Sequence, residues 1–164
     1  MADLRISSKT VPADGTVPME HVFDGWGCTG KNVSPALEWS GAPAGTKSFA
    51  VTCYDPDAPT GSGWWHWQIF NVPASATRLE TGAGDPKSGK APKGSVQGRN
   101  DYGAVGWGGP CPPPGDKPHR YVFTVFALKV ERIDLDASAS AAAIGFNLNA
   151  NALAKASFTA RYGR

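Results

Sequence analysis

The sequence predicts a mainly β fold in one domain spanning residues 1–164, and three observations carry that expectation. The stretch FAVTCYDPDAPTGSGWWHWQIFN, Phe49 to Asn71, reads as two strands around a turn-rich loop. Phe49, Val51 and Cys53 alternate with Ala50, Thr52 and Tyr54, and a second strand runs from His66 to Val72. Twenty glycines and fourteen prolines in 164 residues favour many turns and short strands, yet stay below the share that signals disorder. Finally, HRYVFTVFALKV, from His119 to Val130, is apolar on both faces, the pattern of a central strand covered on each side.

A chain of this length buries roughly 70% of the surface its unfolded form exposes. Seven Phe and six Trp supply the apolar volume for that core. A formal charge of +2 is too slight to argue for a nucleic-acid partner, and none is expected. The opening MADLRISSK lacks an apolar signal core, and no apolar run reaches the length of a membrane span. The expectation is a cytoplasmic chain without a transmembrane segment. Three cysteines without a CxxC give neither a disulfide framework nor a zinc knuckle. Cys53 reads as core. Cys28 and Cys111 fall in Gly/Pro-rich loops, so a bridge between them is open, with two free thiols favoured in a reducing compartment.

Taken in order, Leu4 to Ser7 and His21 to Phe23 read as short strands around the turn-prone PADGTVP. Gly25, Gly27 and Gly30 have GxGxxG spacing, but Pro35 follows within five residues and no βαβ unit surrounds them, so dinucleotide binding is rejected. Ala36 to Trp39 is a short strand, and GAPAGT turns into the central hairpin. The long polar segment from Pro73 to Pro118 contains GDPKSGKA, a P-loop spacing without its final hydroxyl. Pro92 blocks the helix such a loop requires. Lys87, Lys90, Lys93 and Arg99 make this segment locally basic, with a solvated loop the favoured reading over an anionic partner. After the strand from His119, Asp134 or Asp136 is placed to cap a helix through ASASAAAI, interrupted at Gly145 and resumed from Ala150 to Lys155. Ile144 and Leu148, four apart, face a sheet, and Ser157 to Tyr162 alternates as a last strand.

Chemistry concentrates at one rim. If the two hairpin strands pair antiparallel, Asp55 leaves one where His66 enters the next. Asp55 and Asp57, two apart in extended backbone, face one side, while Pro56 and Pro59 stiffen the segment and Ala58–Pro59 is a candidate cis bond. A carboxylate beside His66 fixes the imidazole tautomer and favours its charged form. His119 begins a strand that could neighbour the hairpin, with Tyr121 on the same face and Arg120 on the other. The loop WGGPCPPPGDKP, Trp107 to Pro118, offers glycines whose amides could nest an oxyanion, among prolines that hold it stiff.

The DPDAP segment, Trp-His-Trp with Asn71 shortly after, and GP-PPP-HRYVF, in this order and with NVSPALEW upstream, resemble the phosphatidylethanolamine-binding protein family. The likeness is to its small bacterial, Raf-kinase-inhibitor-like members and covers essentially the whole chain. It implies a Greek-key sandwich of antiparallel sheets with peripheral helices, one near the C-terminus, and one small anion-binding pocket. It places Asp55, Trp64, His66, Pro113, His119 and Tyr121 at that pocket, with Asp57 as the second acid of the motif and Cys111 where many relatives have glycine. The implied ligand is a phosphate-like anion or phospholipid headgroup, bound more tightly as pH falls towards the histidine range. A protein partner and a homodimer are further implications. No catalytic residue, metal or cofactor is assigned. An enzyme using Asp55, His66 and His119 and a kinase- or protease-inhibitor-like module stay open as alternatives, and Ser62 in GSG lacks the nucleophile-elbow pattern.

Overall fold

The computed structural model describes residues 3–164, so the first two residues of MADLRISSK lie outside the described residues. Alternating apolar positions build two antiparallel sheets. β1 (Arg5–Ser7), β2 (Leu37–Ser40) and β5 (Arg78–Leu79) form a small sheet in the order β1-β2-β5. β3 (Ser48–Asp55), β4 (Trp64–Pro73), β6 (Val96–Gln97), β7 (His119–Leu128) and β8 (Ala152–Tyr162) form the larger one, in the order β6-β4-β3-β7-β8. Within it β3, β4 and β6 follow one another, and β7 returns beside β3, which is a Greek-key arrangement.

The faces of β3 and β7 are both apolar because both are covered. Phe49, Val51 and Cys53 of β3, with Phe123 and Val125 of β7, meet Ile6, Leu37, Trp39 and Leu79 of the small sheet in the core between the two. Ala50, Phe70, Phe126 and Leu128 on the opposite face pack under α1 (Ala141–Asn151), whose Ile144 and Leu148 are fully buried there. Each of those two side chains contributes about 1.5–3 kcal/mol by leaving water.

Several local expectations are corrected. His21 to Phe23 is a turn rather than a strand, because the His21 ring is drawn inward between Val33 O at 2.7 Å and Thr10 Oγ1 at 3.0 Å. The helix is capped by Ser140, whose side chain accepts from Ala143 N, while Asp136 spends its carboxylate on Ser138 N. It runs through Gly145 without interruption, and it is the one helix among the described residues. Residues expected to continue it, Ala152 to Lys155, instead open β8, which pairs with β7 from Leu128 to His119. No peptide bond among the described residues is cis, so Ala58–Pro59 is trans.

Candidate functional site

Two β-bulges set the geometry of β4. Tyr54 pairs with Trp65 and Cys53 with Trp67, so His66 is the extra residue of a bulge on the strand opposite. A second bulge leaves Asn71 as the surplus residue at φ 55°, where its side-chain amide exchanges two hydrogen bonds with the Ile133 backbone. The first bulge turns His66 into the end of the sandwich where β3 finishes with Asp55 and β7 starts with His119 and Tyr121.

A cavity of about 310 Å³ opens there, lined by Asp55, Trp64, His66, Cys111, Pro113 and Tyr121 among others. Two expected site residues stand outside its wall. His119 lies behind Asp55, with Nδ1 2.7 Å from Asp55 Oδ2 and Nε2 2.9 Å from Asp116 Oδ2. Asp57 faces away and holds Arg120 through two side-chain hydrogen bonds of 2.8 and 3.0 Å. Its amide donates to Asp55 Oδ1 at 2.8 Å, so both oxygens of Asp55 are engaged.

The sequence-based pairing of Asp55 with His66 is therefore corrected: the carboxylate belongs to His119. His66 Nδ1 instead lies 2.6 Å from the Gly108 carbonyl oxygen. Burial pulls the His66 pKa down to about 4, against the raising effect of the Gly108 and Gly109 backbone, so this imidazole is neutral near pH 7. Burial also pulls His119 down, but Asp55 and Asp116 together outweigh it and raise its pKa above the ordinary value. His119 is thus the charged imidazole, and its charge balances Asp55. Burial pushes the Asp55 carboxyl up, and the hydrogen bonds from His119 and the Asp57 amide pull it back towards the ionised form. The Tyr121 phenol, 1% exposed, is raised by burial, stays protonated, and has no hydrogen-bond partner among the described residues.

The two glycine amides of the loop are engaged within the chain. Gly108 N donates to His66 O at 2.9 Å and Gly109 N to Asn32 Oδ1 at 2.8 Å, so neither amide is left for a ligand. Positions 110, 112, 113 and 114 are prolines and carry no N–H. Gly109 has another task, since a Cβ there would collide with the His21 carbonyl oxygen.

Four residues that bear on the cavity were not singled out in the sequence: Trp26, Tyr102, Asp116 and Arg164. Trp26 sits at the mouth, 66% exposed, edge-on to Trp64 and Tyr102. Tyr102 stacks on Phe23 with ring centroids 4.0 Å apart and donates to Gly109 O. Arg164 brings a cation to the wall and donates through Nε to Pro112 O at 2.7 Å. Cys28 is bonded to Cys111, which corrects the expectation of two free thiols and ties the Trp26 loop to the proline-rich wall. The one available signal for Trp26 was its place two residues before Cys28. Among the described residues no group of three or more His, Cys, Asp or Glu is placed to hold a metal ion.

A β-sandwich with a half-enclosed pocket at one sheet rim, built from buried polar side chains and rimmed by aromatics, is the class that fold and site define. The sequence profile described as phosphatidylethanolamine-binding protein matches residues 7–163. The UPF0098 proteins YbcL and YbhB of Escherichia coli are 54% and 50% identical to this chain, covering 98% and 97% of it and 88% and 99% of their own lengths. A crystal structure of Escherichia coli YbcL, described as a new member of the mammalian PEBP family, superposes with TM-score 0.97 at 53% identity, covering 99% of each chain. The chain belongs to the phosphatidylethanolamine-binding protein family.

Proposed function

We propose that this chain binds a small phosphate-like oxyanion, free or as a lipid headgroup, in the rim cavity. The observation that carries the reading is the Tyr121 hydroxyl, buried against the cavity with no internal acceptor. An unpaired buried hydroxyl costs about 1–3 kcal/mol, and an oxyanion in the cavity relieves that cost. Arg164 supplies positive charge at the wall, while the Asp55 charge is already balanced by His119. The volume of about 310 Å³ sits at the small end of ligand pockets, as a headgroup-sized anion requires. The family's descriptive name agrees with this chemistry.

Calorimetric titration with inorganic phosphate and with phosphoethanolamine tests the proposal. Binding of either is expected at pH 6, weakened at least tenfold by Tyr121→Phe. Because the hydroxyl has no internal partner, the same substitution leaves the unliganded chain as stable or more stable by up to about 1 kcal/mol. Absence of binding by both anions would end the proposal.

A protein partner at the rim is a second reading, favoured by the exposed Trp26. No helix among the described residues is long and apolar enough to cross a membrane. The cytoplasmic setting expected from the sequence is not carried into this reading, because the Cys28–Cys111 bridge is of a kind that persists in oxidising compartments.

A further inference from the structure

Two motifs of the sequence take no part in the rim cavity: the NVSP of NVSPALEW, and the GDPKSGKA that imitates a P-loop. They meet in a second cavity of about 500 Å³, which shares no lining residue with the first. The second motif is held in place rather than left as a loose solvated loop. Gly84 N donates to Ser34 Oγ at 2.7 Å, and a Cβ on Gly84 would collide with Ser34 and Trp107, so glycine is what lets the two segments close. Ser88 ties the following turn, its hydroxyl donating to Asp85 O at 2.8 Å and accepting from Lys90 N at 3.2 Å. That turn fixes the backbone from which Lys90 joins the lining.

The lining is graded from buried to exposed. Ser34 is 1% exposed, and while its oxygen accepts from Gly84, its own proton reaches no acceptor among the described residues. Asn32, half-buried at φ 52°, gives its Oδ1 to Gly109 N and leaves both Nδ2 protons without a described acceptor. Outside these stand two exposed ammonium groups, Lys31 and Lys90, and two exposed carboxylates, Asp24 and Asp85. None of the four forms an ion pair, since those among the described residues are made by His119 and Arg120. Val33 and Val105 are the half-buried apolar part. Trp107 adds to it, because its indole N–H is taken by the His21 carbonyl oxygen at 3.3 Å.

Such a wall selects by charge pattern. An anion gains from the lysines and is repelled by the aspartates, and a cation reverses both effects. A neutral molecule leaves all four charges unanswered. A molecule carrying both charges finds a complement for each, and a free amino acid is such a molecule at pH 7. We propose that this second cavity binds a free α-amino acid with an apolar side chain, held as its zwitterion. Lys31 and Lys90 attract the carboxylate, with the Asn32 amide and the Ser34 hydroxyl as neutral donors to it. Asp24 and Asp85 attract the ammonium group, and the side chain lies towards Val33, Val105 and Trp107. The volume falls within the range of small-molecule sites. Exposed charges each contribute little, so dissociation in the millimolar range is expected. The inference does not depend on the anion reading of the rim.

Amide-resolved NMR titration of the intact chain with L-leucine tests it. Saturable shifts are expected at Asn32, Ser34 and Gly84. 4-Methylpentanoate, which lacks the amine, and 3-methylbutylamine, which lacks the carboxylate, are each expected to bind at least tenfold more weakly. Two variants at exposed positions read the charges separately. Asp24→Asn should weaken leucine at least threefold yet strengthen 4-methylpentanoate, and Lys90→Gln should weaken leucine yet strengthen 3-methylbutylamine. No shift at those amides, equal binding by either singly charged analogue, or leucine shifts confined to His66 and Tyr121 would overturn the proposal. Phosphate added to the same sample reports the rim through His66 and Tyr121, so failure of one reading is seen apart from failure of the other.

Discussion

At the scale of single residues, the two site histidines carry opposite electrostatic histories, and stability reports them with opposite signs. His66 has a folded pKa of about 4 against 6.5 in the unfolded chain. Below pH 6.5 the unfolded state therefore takes up a proton that the folded state refuses, and stability falls as pH drops from 6.5 to 4. The full loss is roughly 3 kcal/mol. His119 is raised, so its contribution is complete below 6.5 and is lost as pH climbs through its folded value. His66→Gln is expected to flatten the fall in urea midpoint between pH 7 and 4.5, whereas His119→Gln is expected to steepen it. Identical profiles for the two variants would contradict the assignment of neutral and charged rings. The Asp57–Arg120 pair titrates elsewhere: with Asp57 lowered to about 2 by Arg120, its contribution is present above about pH 4 and fades between 4 and 2.

At the scale of elements, what was legible followed periodicity, and what was not depended on partners far along the chain. The alternation Phe49, Val51, Cys53 and the two-sided apolar run from His119 announced β3 and β7, because burial on both faces leaves an unbroken apolar signature. β8 gave a weaker one. Its first half, Ala152 to Ser157, is Ala-rich and only half-buried, and pairing with β7 overrides that helical composition. Asp136 and Ser140 are both good caps by composition, and only the turn closed by Ser138 on Asp136 decides for Ser140. Asp55, His66 and Tyr121 were recognisable as convergent, yet the Asp55–His66 pairing failed because a one-residue bulge is invisible in a pattern of period two. Gly145, expected to break α1, is accommodated inside it, and a Cβ there meets nothing within 4 Å. Gly145→Ala is therefore expected to stabilise the chain by about 0.5–1 kcal/mol in urea denaturation, through helix propensity alone. Leu148→Ala on the buried face should cost about 2–5 kcal/mol.

At the scale of the whole molecule, the cavity wall is closed by chain segments distant in sequence, and the Cys28–Cys111 bridge is the covalent part of that closure. It spans 83 residues, a loop that includes β2 to β6 and hence strands of both sheets. The same two segments are joined by Phe23 N to Pro110 O at 3.0 Å and by Gly109 N to Asn32 Oδ1. Arg164 adds a further tie, donating to Pro112 O from beyond β8. Opening the bridge releases a large loop in the unfolded chain, so the expected cost is about 2–5 kcal/mol, or roughly 5–15 °C in melting temperature for a chain of this size. Because Cys111 itself lines the cavity and Trp26 stands at its mouth, the loss should also loosen the wall and weaken anion binding. The paired variant Cys28→Ser with Cys111→Ser is expected to show both effects, while Cys53, buried in the sheet core as the free thiol, has no part in them. Thiol titration of the denatured chain should find one thiol before reduction and three after it. Three thiols before reduction, or a double variant that melts and binds like the parent, would leave the hydrogen bonds alone as what holds the wall.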